Sequence, residues 1–254
     1  MDTRLVTLGR MSPVQTIILV IGAFSGAFVS GLAGFGTGIT AMGIWLYAVS
    51  PSVASSLVVI CSVAAQVQTM PTIWRAIEAK RVLPFILPGL IGVPVGTALL
   101  AYLDPRPLKI GIGGLLLVFS IQMLLSKNRR GNPWGGRSAD GVIGFGGGVL
   151  GGLVGLSGPL PTMWATIRGW TKSESRALFQ VYNLTILATA LVAHAVAGLL
   201  TREVGWAVLV ALPGTIIGAR IGAHTYTRLS DQRFREILLG LLFVSGCGLI
   251  WANR

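Results

Sequence analysis

Long apolar stretches separated by short polar segments account for most of the chain. They run from Pro13 to Tyr47, Ser52 to Trp74, Val82 to Leu103, Pro107 to Leu125, Val142 to Ile167, Ala177 to Leu200, Val204 to Tyr226 and Ile237 to Ala252. Most match the ~20 residues that cross a bilayer as a helix, and the first is long enough for a crossing plus a half-helix. The runs are continuous, without the alternation of lumen and lipid faces that a barrel requires, so the pattern predicts helices. Two of them contain a helix-breaking run, Gly31-Leu32-Ala33-Gly34-Phe35-Gly36-Thr37-Gly38 and Gly152-Leu153-Val154-Gly155-Leu156-Ser157-Gly158-Pro159. Breaks at corresponding points of two hydrophobic halves predict a membrane transporter with paired broken helices at its substrate site.

Composition narrows the class. Of 254 residues, 53% are hydrophobic, 11% are charged and 35 are glycine. With a mean hydropathy of +0.76, the chain is too apolar for a water-soluble domain of this length and reads as an all-α polytopic membrane protein. The net charge of +12 would suggest nucleic acid in a soluble chain. Here the charges sit in loops, which is the positive-inside pattern, so the expected partner is the lipid bilayer and not nucleic acid. The setting implied is multi-pass insertion in the cell's inner (plasma) membrane. Trp74, Trp170, Trp206 and Trp251 fall near segment ends, where an amphipathic ring favours the headgroup level. Cys61 and Cys247 lie within apolar runs and read as small buried hydrophobes. The apolar stretch that contains Ile17 to Ile21 runs on well past the length of a signal-peptide core, so the N-terminal stretch reads as a retained first helix.

The two glycine motifs align with each other, and Gly92-Val93-Pro94-Val95-Gly96 aligns with Gly218-Ala219-Arg220-Ile221-Gly222. The chain therefore reads as a duplication: residues 1–125, a basic linker over 126–140, and residues 141–254. Loop charges orient the halves. Val49 to Ser56 is uncharged and the next loop carries Arg75, Lys80 and Arg81, whereas in the second half Arg168, Lys172 and Arg176 come first. Corresponding loops then face opposite sides, as two inverted-topology repeats require, each a broken-helix hairpin plus three transmembrane helices. The linker and Thr227 to Arg235 are expected in the cytoplasm and the C-terminus outside. Arg4 and Arg10 at an outside N-terminus run against this pattern.

The chain resembles the TauE/SafE family of sulfite and organosulfonate transporters, also called the toluenesulfonate uptake permease family. The resemblance is carried by the twin glycine motifs, by Leu103-Asp104-Pro105-Arg106-Pro107-Leu108-Lys109 leading into Ile110-Gly111-Ile112-Gly113-Gly114-Leu115-Leu116-Leu117, and by overall length. It implies secondary transport, by export, of small sulfur-containing anions such as sulfite or C2 sulfonates, without a cofactor or metal. Phe35-Gly36-Thr37-Gly38 is less glycine-rich than the family's usual first motif and leaves the substrate subtype open.

Such an anion needs oriented donors or cations in a low-dielectric site. Backbone at Gly34, Phe35, Gly36, Thr37 and Gly38, and at Gly155, Leu156, Ser157 and Gly158, is expected to approach the ligand, helped by the positive end of the following half-helix. Thr37 and Ser157 add hydroxyls, and Gln66, Gln180 and Asn183 add amides from the next helix of each half. Close helix packing is the alternative role for the glycines. Arg220 is the candidate cation at depth, with snorkelling as its alternative, and His194 is a candidate proton relay, with a hydrogen bond to a neighbouring helix as its alternative. All carboxylates (Asp2, Glu78, Asp104, Asp140, Glu174, Glu203, Asp231 and Glu236) fall in or near loops, which disfavours a cation substrate. Proton coupling and a homodimer are compatible with the sequence. A passive anion channel is one alternative. The other is a rhomboid-like intramembrane serine protease using Ser157 and His194, although the first motif carries Gly36 where the second has Ser157.

Overall fold

The computed structural model describes residues 12–99, 105–125, 135–154 and 157–252, all of them in helices or short connections, with no strand among the described residues. The helices are α1 (Pro13–Ala33), α2 (Thr37–Trp45), α3 (Pro51–Thr69), α4 (Ala79–Leu99), α5 (Pro105–Leu125), α6 (Gly136–Val154), α7 (Pro159–Arg168), α8 (Lys172–Val196), α9 (Arg202–Arg228) and α10 (Asp231–Ala252). Two single 3₁₀ turns, Met70–Thr72 and Trp74–Ala76, join α3 to α4.

The first apolar stretch divides as its length suggested. Ser12 caps α1 in a box with Gln15, and Pro13 opens the first turn, where its missing N–H costs nothing. The helix stops because Gly34 takes the left-handed conformation (φ 85°), and Gly36 follows at φ 106°. α2 then doubles back along α1. Trp45 Nε1 donates to the Leu19 carbonyl at 3.0 Å, and Gln15 Nε2 to the Ala48 carbonyl at 3.2 Å. The start of α1 and the end of α2 therefore lie on one side. The close approach is possible because Gly26 carries no side chain: a Cβ there would lie 2.9 Å from that of Ala41.

α6 and α7 form a second hairpin of the same kind. Trp164 Nε1 donates to Asp140 Oδ1 at 2.7 Å, and the Arg168 guanidinium lies 3.8 Å from the same oxygen. Gly169 ends α7 at φ 66°, and a Thr171–Glu174 capping box starts α8. Each hairpin is followed by three longer helices. Two boundaries differ from the apolar pattern. α6 begins at Gly136, inside the segment read as linker, and α8 begins at Lys172 instead of Ala177, which puts Arg176 in a helix and not in a loop.

Two parallel helix pairs, α1 with α9 and α4 with α6, dominate the packing. In the first, Gly214, Gly218 and Gly222 lie on the carbonyls of Val20, Phe24 and Phe28; in the second, Gly144 and Gly148 lie on those of Phe85 and Gly89. A side chain at any of these positions would collide with backbone. Small residues every fourth position give apolar helices the van der Waals contact that lipid, as a solvent, does not otherwise force. α5 packs on α10, and α3 meets α8 between the two pairs.

Among the described residues, Pro13–Ala33, Ser52–Thr72, Ala79–Gly96, Lys172–Val196 and Arg202–Arg228 are long and apolar enough to cross a membrane. Outward-facing Ile17, Ile91, Val118 and Leu209 suit a hydrocarbon surround. Trp74, Trp206 and Trp251 are exposed near helix ends, as expected of headgroup-level rings. Cys61 is buried; Cys247 is exposed on α10, contrary to the expectation that both cysteines pack inside.

Candidate functional site

The two breaks converge. A small cavity of about 40 Å³ is lined by Phe35, Gly36, Thr37 and Gly38 from the first and by Ser157, Gly158 and Pro159 from the second. Ser30, Ser62, Gln66 and Asn183 complete its polar wall, and Val58 and Leu187 its apolar one. The Phe35 ring bridges the breaks. It packs edge-on against Phe179, with centroids 5.6 Å apart, and would be 2.8 Å from a Cβ placed on Gly158.

Both half-helices begin at this cavity, and neither has a side-chain cap. Their first-turn N–H groups lack intrahelical acceptors, and the helix dipole adds positive potential there, so each end favours an anion by roughly 0.3–2 kcal/mol. The ends are chemically unequal. α2 presents the N–H groups of Thr37 and Gly38, whereas Pro159 and Pro161 deprive the first turn of α7 of two donors. The first break is the stronger donor.

The wall side chains divide by what they already bind. Gly34 does not line the cavity: its carbonyl accepts from Gln66 Nε2 at 2.8 Å and from Asn183 Nδ2 at 3.4 Å, so the break ties α3 to α8. Ser157 Oγ donates to Asn183 Oδ1 at 2.6 Å and has no second proton to offer. Among the described residues, Thr37 Oγ1 is buried without a partner, as is Gln66 Oε1. Gln180 sits one turn away from the cavity, donating to the Gln66 carbonyl at 2.8 Å and to Thr69 Oγ1 at 2.9 Å. It braces the wall without lining it. Gly155 and Leu156 lie outside the described residues.

Two of the candidates lie away from the cavity. Arg220 does not face the cavity: it is exposed, because Gly218 and Gly222 point α9 at α1 and a residue two positions from each lies on the opposite face. Its charge is roughly 12 Å of helix from Arg228 and is placed to snorkel. His194 does not reach the cavity either. Its Nδ1 is 3.2 Å from Ser56 Oγ, near the far end of α8, roughly 16 Å of helix beyond Asn183. Ser157 and His194 thus form no dyad, and the protease alternative loses its base.

Arg176 was read as a loop charge, yet its side chain is fully buried. Nη1 donates to Thr72 Oγ1 at 3.1 Å, Nη2 donates to the Gly31 carbonyl, and the guanidinium lies 4.0 Å over the Tyr226 ring. The signal was present in the sequence. Thr171-x-x-Glu174 starts a helix at Lys172, and that start puts Arg176, Gln180 and Asn183 on one face.

A helical membrane protein with two breaks meeting at a buried, donor-rich and carboxylate-free cavity belongs to the class of membrane transporters. The family comparison agrees: residues 18–249 match the family model described as "Sulfite exporter TauE/SafE", and the chain belongs to that family. Among curated proteins it is 28% identical over 255 residues to the "Probable sulfite/organosulfonate exporter TauE" of Cupriavidus necator, covering 94% of each chain. No solved structure gives a significant match.

Proposed function

We propose that the chain is a secondary transporter that exports small sulfur-containing anions, sulfite or C2 sulfonates, across the inner membrane by alternating access around the cavity between the two breaks. The observation that carries this reading is the pair of uncapped half-helix N-termini beside the unpartnered Thr37 hydroxyl. Such a site stabilises oxyanions without burying a full protein charge in the cavity. The relative's name supplies the sulfur chemistry.

We further read residues 1–125 and 141–254 as inverted-topology repeats joined by a cytoplasmic linker. Support comes from helix direction. α1 runs parallel to α9, and α4 to α6, so the start of α1 shares a side with the start of α9 and the start of α6 shares a side with that of α4. Arg75, Lys80, Arg81, Arg168, Lys172 and Arg233 gather at the α4 and α6 starts, whereas the α8–α9 connection has Arg202 beside Glu203. The basic end is the cytoplasmic one by the positive-inside rule.

Proteoliposomes loaded with radiolabelled sulfite test the transport reading. A carrier gives saturable flux and accelerated exchange against unlabelled sulfite on the far side; flux that rises linearly with concentration and shows no counterflow identifies a passive channel instead. In the same preparation with Cys61 and Cys247 replaced, Ser230→Cys and Leu200→Cys should label with an impermeant reagent from opposite faces. Labelling from one face contradicts the repeat assignment.

A further inference from the structure

Arg176 is a buried cation held by neutral groups alone. Its neighbours are the Gly31 carbonyl, the Thr72 hydroxyl and the Tyr226 ring, and its Nε has no partner among the described residues. Among the described residues, no carboxylate lies within 4.0 Å of it; the ion pairs there join Arg81 to Glu78 and Glu174, and Arg168 to Asp140. Removing a guanidinium from water without a counter-charge costs several kcal/mol, and carbonyls and a ring face offset only part of that. An arginine kept in this condition is prepared for an anion that arrives from elsewhere.

A route to it is visible. Thr72 and Tyr226 also form the wall of a separate cavity of about 580 Å³, lined further by Ile73, Trp74, Arg75 and Ser173. This vestibule lies at the basic end of the molecule. Lys172 sits on the Tyr226 ring, its Nζ 5.1 Å from the centroid and bound to the Leu229 carbonyl. Of the carboxylates at this end, Glu174 is taken by Arg81, and Asp231 lies in the first turn of α10. On its other side Arg176 reaches the first break: a Cβ on Gly34 would be 3.3 Å from the Arg176 carbonyl oxygen and 3.4 Å from its Cγ. One residue thus separates the vestibule from the break.

We propose that Arg176 is the anion-binding residue of a second, vestibule-facing site, closed in this conformation by Thr72 and Tyr226, through which an oxyanion passes to the central cavity. The ligand class rests on the anion-transport reading above; the site does not. When the anion enters, its oxygens replace the Thr72 hydroxyl and the ring face, and the guanidinium fork suits two oxygens of a sulfonate or sulfite. The lid is two neutral side chains, which a charged ligand outcompetes.

The full-length protein with Cys61 and Cys247 replaced and Ser173→Cys introduced into the vestibule wall provides the test. Its modification rate is compared for an anionic and a cationic methanethiosulfonate, the anionic one carrying a 2-sulfonatoethyl group. The proposal expects the anionic reagent to be favoured about tenfold, by focusing of the positive potential. It also expects isethionate to protect the cysteine. Arg176→Gln should remove most of the bias and the protection, whereas Arg202→Gln at the opposite end of the molecule should remove little of either. If Arg176→Gln fails to give monodisperse protein, Tyr226→Leu decides: unroofing the cation should speed the anionic reagent severalfold. Unchanged bias and protection in Arg176→Gln, or an unchanged rate in Tyr226→Leu, overturns the proposal. Protection that vanishes when Gly158→Leu fills the central cavity also overturns it, because the two sites are then one. Normal transport by Gly158→Leu sinks the central-cavity reading alone.

Discussion

Gly158→Leu is expected to reduce sulfite flux at least about a hundredfold while leaving a folded, monodisperse protein. Gly158 sits at φ −73°, a conformation any residue adopts, so the substitution introduces no backbone strain. Its Cβ direction, however, points at the Phe35 ring, 2.8 Å away, and the cavity behind that ring holds only about 40 Å³. An isobutyl group must displace Phe35 or fill the space itself. The overpacking costs about 1–3 kcal/mol, which a helical bundle of this size tolerates, but the ligand's volume is gone. Gly158→Ala should keep part of the flux. Measuring both against circular dichroism separates blockage from misfolding, and full flux in the leucine variant would show that the cavity is not on the route.

Thr37→Val should weaken sulfite binding about ten- to hundredfold, measured by titration calorimetry on purified protein. Valine keeps the shape of threonine and removes one hydroxyl, and a hydrogen bond to a charged partner contributes about 1.5–3 kcal/mol. The hydroxyl is buried and has no acceptor among the described residues. It is a wall hydroxyl with an uncommitted proton, whereas the Ser157 proton is spent on Asn183. Thr37→Ser should recover most of the affinity. Ser157→Ala should matter less at the ligand and more through Asn183, which loses a donor.

Several features were legible in the sequence because they depend on local backbone rules. Glycine runs inside apolar stretches announced breaks, and Gly34 and Gly36 have the left-handed conformation that makes them. Gln180 and Asn183, three residues apart, share a helix face and both are buried, whereas Gln66 is buried and Gln68 is turned outward to the Ile216 carbonyl. What the sequence concealed depends on neighbours. Gly218-Ala219-Arg220-Ile221-Gly222 drew attention to Arg220, but glycines four apart mark the face pressed on another helix, and the residue between them faces away. Arg176 was lost for the opposite reason. Its charge suggested a loop, although the preceding capping box had already started the helix that buries it.

Glycine itself carried two meanings that composition merges. Gly34 and Gly36 shape a turn, while Gly144, Gly148, Gly214 and Gly218 allow backbones to touch. The distinction becomes visible only once the partner carbonyl is known.

The most direct measurement of the central claim is a crystal structure of the protein with 2-bromoethanesulfonate, located by bromine anomalous scattering. Density is expected between the two breaks, with sulfonate oxygens on Thr37 Oγ1 and on the N–H groups that open α2, and the bromine toward Leu187. A ligand bound only at the outer surface, or between helices with no contact to either break, would contradict it.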